Sequence, residues 1–355
     1  MSPVSSAAAD PRAWAAARFR AALAGFDRSR PILVLGHFDA DGLSALAILV
    51  RALRRDGWDA RPRIVGKGEN PWDAGFGASL GEGLGGLIVT DLGTRPEPIR
   101  ADVPTLLIDH HQPTGAVDEA AAISGNGLVP EPTSALLAYW CVAALGNPAD
   151  WLWLAAMGLI GDMADGAGFP ELAEAQERYG KTALKNAVSL VNAPRRTAAA
   201  DAGPALALLL EEEGPKAVTS GTRPETAALV EAKAEVASAL DAAKRVPPRV
   251  KGDVALIAFR SPCQIHPLIA QQWRGRLKDK IVLAANSGYR DGWVHFAART
   301  ASGHDLIEFL AEHRPEGADG HYGHGHVAAT GGALRLSQWN AFVNGLGFPE
   351  AALPE

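Results

Sequence analysis

Pro31-Ile32-Leu33-Val34-Leu35, followed by Gly36-His37-Phe38-Asp39-Ala40-Asp41-Gly42 and then the apolar-periodic run Leu43–Arg55, is the stretch that decides the fold. A short apolar run closed by glycine reads as a buried strand. The 3.6-residue spacing beyond Gly42 reads as a helix with a polar, basic far side. The alternation continues downstream. Arg61–Val65, Leu87–Thr90 and Thr105–Ile108 are strand candidates, and the last two are apolar throughout, as strands covered on both faces are. Strands alternating with helices predict an open α/β sheet. Upstream, Trp14, Ala17, Phe19, Leu23 and Phe26 predict an amphipathic opening helix. Downstream, helices are predicted at Thr133–Leu145, Trp151–Asp165, Glu171–Val191 and Ala205–Glu213. The Ala-, Glu- and Lys-rich stretch Pro224–Lys244 predicts a long helix, closed by Pro247 and Pro248. A second α/β pattern follows, with strands at Val254–Phe259, Ile281–Asn286 and Trp293–Ala298 and helices at Pro267–Leu277 and Asp305–His313. A Gly/His-rich loop is expected at Gly320–Gly332. The expected organisation is an N-terminal domain over 1–223, a connecting helix and linker over 224–250, and a smaller C-terminal α/β domain over 251–355.

Composition narrows the function classes. The chain has 355 residues, room for roughly two domains of about 150 residues. Its 47% apolar and 21% charged content is ordinary globular usage and excludes global disorder. Lys plus Arg number 34 against 40 Asp plus Glu, a net charge of −6, so any nucleic-acid contact must come from a local basic patch. Cys141 and Cys263 are the two cysteines and stand far apart, which argues against a disulfide framework or a thiolate zinc site and for a reduced, cytoplasmic setting. Met1–Ala9 carries no basic residue, so no secretory leader is expected. The longest uncharged run, Pro132–Ala149, contains Thr133, Ser134, Gly146, Asn147 and Pro148. These are helix start and stop signals, and the run reads as a buried core helix, not a membrane span.

The chemistry lies where acidic and imidazole side chains fall. His37, Asp39 and Asp41 alternate, and in an extended segment residues two apart point the same way. They are expected to project from one face, with Gly42 turning the chain into the next helix. The next strand candidate ends at Asp91, and the one after it at Asp109-His110-His111. Ligands of open α/β sheets collect at the carboxyl ends of strands. A fourth element, the apolar helix Trp151–Asp165, carries Asp162 and Asp165. An unpaired buried carboxylate costs several kcal/mol or protonates. A cation at this rim removes that cost. Carboxylates and imidazoles without thiolate suit Mn²⁺ or Mg²⁺. So many carboxylates suit two ions about 3.5–4 Å apart, the usual arrangement for phosphoester displacement. Each piece alone has a plainer explanation: a turn, a helix cap, a solvated loop. Four such accidents all at strand ends or in one apolar helix do not.

The ordered set His37-x-Asp39-x-Asp41-Gly42, Asp91, Asp109-His110-His111 and Gly161-Asp162 resembles the four motifs of the DHH phosphoesterases. Two further stretches resemble the RecJ branch of that family. Val191-Asn192-Ala193-Pro194-Arg195 is similar to its Asn-Ala-x-x-Arg segment. Gly325-His326-Val327-Ala328-Ala329-Thr330-Gly331 is similar to the Gly-His-x-x-Ala-Ala/Ser-Gly loop of the DHH-associated C-terminal domain. The resemblance spans roughly Pro31 to Leu336. It implies a parallel-sheet DHH domain, a helical connector and a smaller α/β domain, with a cleft between them. It further implies two Mn²⁺ ions, Mg²⁺ being the alternative, held by Asp39, Asp41, Asp91, His110 and Asp162 with Asp91 bridging. His37, at a position that is His in some branches and Asp in others, is the sixth implied metal ligand. His111, with Asp109, forms the catalytic pair and touches the scissile phosphate. Substrate contacts fall to Arg195, Arg299, His324, Gly325, His326, Thr330 and Gly331. His324 stands where the family's loop has a glycine.

The reading that follows is a Mn²⁺-dependent phosphodiesterase that hydrolyses single-stranded DNA or RNA from its 5′ end. Basic clusters at Arg195-Arg196, Lys244–Lys251 and Arg274–Lys280 offer a path for a strand. The alternative within the same chemistry is hydrolysis of short oligonucleotides or small nucleotides, of oligoribonuclease, cyclic-dinucleotide or bisphosphate-nucleotide type. At this length, the additional oligonucleotide-binding domain of long RecJ proteins is not expected. A non-catalytic DNA-binding scaffold of the same fold is disfavoured because the motif carboxylates are intact. A pyrophosphatase is disfavoured by the Gly-His loop.

Overall fold

The computed structural model describes residues 10–318 and 322–354. Helix α1 (Pro11–Leu23) is capped by Asp10, whose carboxylate accepts hydrogen bonds from the backbone N–H groups of Arg12 and Ala13. Its buried side is Ala15, Phe19 and Leu23, while Ala17 faces solvent. Strand β1 (Ile32–His37) leads into helix α2 (Ala40–Arg55). β2 (Ala60–Val65), β3 (Gly86–Thr90), β4 (Thr105–Asp109) and the three-residue β5 (Ala122–Ser124) complete a parallel sheet of order β2-β1-β3-β4-β5. The strand order reverses at β1 and β3, and ligands of doubly wound sheets bind beyond the strand ends at that reversal.

Helices α3 (Ser134–Val142), α4 (Leu152–Gly161), α5 (Pro170–Tyr179), α6 (Lys181–Val191) and α7 (Gly203–Glu211) follow. The single helix expected over Glu171–Val191 is broken at Gly180, whose φ of 87° lies in the left-handed region that a helix cannot use. α2 packs against α3, α4 and α7 and is buried almost all round. Its polar, basic side holds the exposed Arg54 and Arg55 and the half-buried Arg51, and these also reach carbonyl oxygens: Arg51 those of Leu209 and Glu212, Arg54 that of Ala60, Arg55 that of Asn147. Every residue of α4 from Leu152 to Leu159 is buried. Each large side chain there contributes about 1.5–3 kcal/mol, so the end of α4 that carries Asp162 is held firmly.

The chain divides into two compact units, one of Met1–Arg195 with Ala200–Glu231, the other of Arg196–Ala199 with Ala232–Glu355. The division falls inside helix α8 (Pro224–Ala243). The second unit is built on a mixed sheet of order β10-β11-β9-β8-β7-β6. Its strands are β6 (Arg249–Lys251), β7 (Val254–Phe259), β8 (Ile281–Arg290), β9 (Trp293–Thr300), β10 (Tyr322–His326) and β11 (Ala329–Arg335), with β7 and β8 its parallel pair. Helices α9 (His266–Arg274), α10 (Leu306–Glu312) and α11 (Leu336–Gly345) accompany it. The Gly/His-rich segment expected as a loop is an antiparallel hairpin, with Gly325 opposite Thr330 and His326 opposite Ala329. Gly325 has φ 142°, and a Cβ there would lie 2.4 Å from the Ala329 carbonyl oxygen, so only glycine fits. His321, within the expected loop, lies outside the described residues. No helix among the described residues is long and apolar enough to cross a membrane.

Candidate metal centre

β1 ends at His37, and the chain turns at once into α2. Asp39 is therefore the N-cap and not part of an extended run. Its Oδ1 accepts from the Gly42 backbone N–H at 3.1 Å. Asp41 sits in the first turn of α2, so the expected alternation of His37, Asp39 and Asp41 on one extended face is replaced by a strand-to-helix corner. Gly42 is required there: a Cβ would fall 2.6 Å from the Cβ and carbonyl oxygen of His37. The corner still aims the three side chains at the rim. His37 Nδ1 lies 3.1 Å from Asp39 Oδ2 and 3.7 Å from Asp91 Oδ2.

Asp91, the residue after β3, is buried with φ 60°. A non-glycine residue in this region costs about 1–3 kcal/mol and persists where the surroundings impose it. Its Oδ1 accepts from the Ser134 hydroxyl at 3.0 Å and lies 3.6 Å from His110 Nε2, while Oδ2 faces His37. At the end of β4, buried Asp109 turns away from this centre. Its Oδ1 accepts from the backbone N–H of His111 at 2.7 Å and pairs with His111 Nδ1 at 2.8 Å, and its Oδ2 accepts from Gly93 N–H at 2.8 Å. Burial raises its pKa, but these hydrogen bonds outweigh it and hold the carboxyl below the ordinary range. The same partner raises the pKa of His111. An ionised Asp109 thus keeps a proton on Nδ1 of His111, whose ring is half exposed.

Asp41 is fully buried, and both of its oxygens accept from the N-terminus of α3: Oδ2 from Ser134 N–H at 2.8 Å, Oδ1 from Ala135 N–H at 2.9 Å. A carboxylate suits the positive end of a helix. α4 presses on its other side at Gly158, where a Cβ would lie 2.2 Å from Asp41 Oδ1. α4 ends in Asp162, whose Oδ2 is 3.2 Å from His110 Nε2. Asp165 points elsewhere, 3.5 Å from Lys185 Nζ.

Donor atoms of His37, Asp39 and Asp91 lie within 4.8 Å of one another, as do those of Asp41, Asp91, His110 and Asp162, and those of Asp91, His110 and His111. Asp91 belongs to every group. Burial, and then repulsion by Asp162, pushes the Asp41 carboxyl up to about 7. Asp91 is raised well above the ordinary range by burial and by the charges of Asp41 and Asp39. Burial opposes protonation of His110, yet Asp162, Asp91 and Asp41 outweigh it and push the imidazole up to about 11. Its Nε2 is buried within 4.0 Å of oxygens of Asp41, Asp91 and Asp162 and makes a hydrogen bond with none of them. A buried nitrogen aimed at the gap between three carboxylates is the arrangement of a metal ligand, and this donor set fits a hard divalent cation.

No protein-family profile matches the chain, and no curated protein matches it by sequence. Solved structures do resemble it. A manganese-bound exonuclease RecJ matches with a TM-score of 0.65 over 96% of this chain and 95% of its own, at 20% identity. RecJ from Thermus thermophilus in complex with Mn²⁺ matches with 0.65 over 97% of this chain and 55% of its own, at 23% identity. This is the RecJ-type DHH phosphoesterase fold. The DHH domain of a member of a ribosomal-protein family shares it, with a TM-score of 0.66 over 98% of this chain and 92% of its own, at 18% identity.

Within the RecJ-type fold, the other residues singled out from the sequence fall in two places. Arg195 belongs to the first unit, and its Nη1 donates to Asp39 Oδ2 at 2.5 Å. In the second unit, Arg299, Thr330 and Gly331 line one cavity of about 380 Å³ together with His266 and His295. Arg299 Nη1 donates to the carbonyl oxygens of Ala298 and Thr330. Gly325 and His326 lie on the hairpin outside that lining. His324 pairs with Gly331 along the strands, and its side chain is outside the described residues. Sequence reasoning did not single out Ser134, Gly158 or His266 as parts of a site. Asn192, whose Oδ1 accepts from Ala40 N–H at 2.9 Å, entered only through the motif resemblance. Thr133-Ser134 does carry a legible signal, a helix start, but nothing in the sequence says whose carboxylate that start receives.

Proposed function

We propose that this chain is a Mn²⁺-dependent phosphodiesterase of RecJ type that hydrolyses single-stranded DNA or RNA from the 5′ end. The observation that carries the reading is Asp91, buried between two groups of ligand-type side chains at the reversal point of a parallel sheet. Asp41, Asp91, His110 and Asp162 would hold one ion, and His37, Asp39 and Asp91 the other, with Mg²⁺ as the alternative metal. Divalent cations bound there supply an acidified water and neutralise charge on phosphoryl oxygens.

The chain's own groups orient the substrate and hold a proton. Asp109 accepts from Nδ1–H of His111, fixes the ring plane and favours the imidazolium form, in which the outer Nε2–H would donate to a phosphoryl oxygen. Arg299, with Thr330 and Gly331 in their cavity, would receive a terminal phosphate, assisted by the His324-Gly325-His326 strand of the hairpin. Arg195 stands at the first unit's rim, where a strand phosphate would approach.

Digestion of end-labelled single-stranded DNA and RNA, long and short, in Mn²⁺ tests this, with Asp109→Asn as control. Release of 5′ mononucleotides from long strands, reduced about 10–100-fold in the control, is the expected result. Cleavage confined to short oligomers would replace strand degradation by nucleotide recycling. No turnover of either with Mn²⁺ demonstrably bound would overturn the nuclease reading and leave small nucleotide phosphates or a non-catalytic scaffold.

A further inference from the structure

Asp39 and Asp41 are two residues apart and serve the same centre, yet they keep different company. Neither Asp41, Asp91 nor Asp162 has a lysine or arginine ion-pair partner among the described residues, and the counter-charge close to all three is His110. Asp39 is served differently. Its Oδ1 is committed to capping α2, and its Oδ2, the oxygen nearer His37, accepts from Arg195 Nη1 at 2.5 Å. The guanidinium is placed by its chain segment: α6 ends at Asn192, whose side chain holds the Ala40 N–H, and Pro194–Arg196 forms one tight turn. Only part of the guanidinium fork is used on Asp39. The Nε–H of Arg195 is buried without a hydrogen-bond partner among the described residues. A bidentate pair would hold the arginine fast, whereas this single contact leaves it exchangeable.

We infer that Arg195 is the resident counter-ion of Asp39 and competes with a divalent cation for Asp39 Oδ2. The two halves of the centre are therefore unequal: the Asp41–Asp91–His110–Asp162 half fills first, and the His37–Asp39–Asp91 half fills second, at the expense of the Arg195 contact. The inference rests on the metal reading above and deepens it. Linkage gives it a functional sense. Whatever draws the guanidinium off Asp39, such as a phosphate of a bound strand, tightens the second cation, and the second cation frees the guanidinium for phosphate by the same factor. Metal and substrate then assemble together.

Mn²⁺ binding to the full chain, followed by the electron-paramagnetic-resonance signal of free Mn²⁺ without nucleic acid, tests this. Two classes of site are expected in the wild type. Arg195→Met should tighten the weaker class about tenfold or more while the tighter class stays within about twofold, because an uncompensated carboxylate is left for the cation. Retention of the tighter class also reports that the variant is folded. Arg195→Lys keeps the charge and should leave the weaker class within about threefold of wild type. An unchanged or weakened second class in Arg195→Met, or equal tightening in both variants, would overturn the inference. Absence of any Mn²⁺ binding to the wild type would instead defeat the metal reading itself.

Discussion

At the strand ends of the first unit, Asp41, Asp91 and Asp162 crowd around His110, with Asp39 beside His37 and Asp91. In the cavity of the second unit, His266, His295 and Arg299 stand together with no carboxylate in the lining. His266 is buried, and burial together with His295, Arg196 and Arg299 pushes it down to about 3. Its Nδ1 has no hydrogen-bond partner among the described residues. The two units thus hold complementary imbalances, one of buried negative charge and one of buried positive or neutral nitrogen. On the proposed reading, a cation would balance the first and an anionic phosphate would suit the second. The difference also separates two kinds of titration, because a carboxylate crowded by carboxylates gains protons easily and an imidazole crowded by cations refuses them.

The largest effect that would break this comparison is at Asp91. Asp91→Asn should lower Mn²⁺-dependent phosphodiester hydrolysis by about 10³-fold or more, since it removes the group common to both halves of the centre. The same variant should be more stable than wild type in chelator, with a melting temperature higher by about 2–4 °C, because repulsion between buried carboxylates is relieved. Loss of activity accompanied by loss of stability would argue that Asp91 is structural.

A smaller effect is expected at Gly158. Gly158→Ala places a methyl group against Asp41 Oδ1 and should cost about 10–100-fold in activity, the scale seen when the support of a metal ligand is disturbed. Alanine in a helix favours folding intrinsically, so an active, stabilised variant would show that α4 can retreat from Asp41.

The smallest effect lies in stability against pH, and its sign differs between the units. An unfolded histidine titrates near 6.5, whereas folded His266 titrates near 3, so between these values the unfolded chain binds the extra proton. The stability contributed by neutral His266 is complete above about pH 6.5 and is lost on acidification, at up to about 1.4 kcal/mol per pH unit. In chelator, Asp41 acts in the opposite sense. Its folded value near 7 lies above that of an unfolded carboxyl, so acidification through pH 7 favours the folded state. Urea denaturation of His266→Leu beside wild type in EDTA isolates the second unit's contribution, since the Asp41 effect is common to both. The variant should gain about 1–2 kcal/mol relative to wild type between pH 7 and pH 5. A difference that does not change with pH would mean that His266 titrates alike in the folded and unfolded chains, and that burial does not depress it.

Much of this was legible in the sequence, for a physical reason. Strand ends of a doubly wound sheet are where chemistry gathers, and Asp and His there are conspicuous against apolar strands. The structure brings together all six residues marked as ligands, His37, Asp39, Asp41, Asp91, His110 and Asp162. The local geometry was less legible. Asp39-Ala40-Asp41 reads as alternation only if the strand continues, and the capping bond from Gly42 N–H to Asp39 ends it. Gly180 interrupts an amphipathic pattern that keeps its character on either side, so a break looks like continuity. β5 and β6 are three residues long, too short to carry a period. The Tyr322–Arg335 hairpin lacks apolar alternation because glycines occupy the places where strands approach closely. Ser134 and Gly158 carry no chemistry of their own, and their importance exists only in three dimensions.

The seating of Asp41 between the start of α3 and Gly158 bears on how related sequences should be surveyed. A search that demands only the six ligand letters would accept a chain in which position 158 carries a side chain, although such a chain has no room for the Asp41 carboxylate. The useful signature is an eight-position one, with a small residue at 158 and a hydroxyl at 134 counted beside the acids and histidines. Chains that keep the letters and lose the space should be set apart as weakened relatives and assayed against those that keep both.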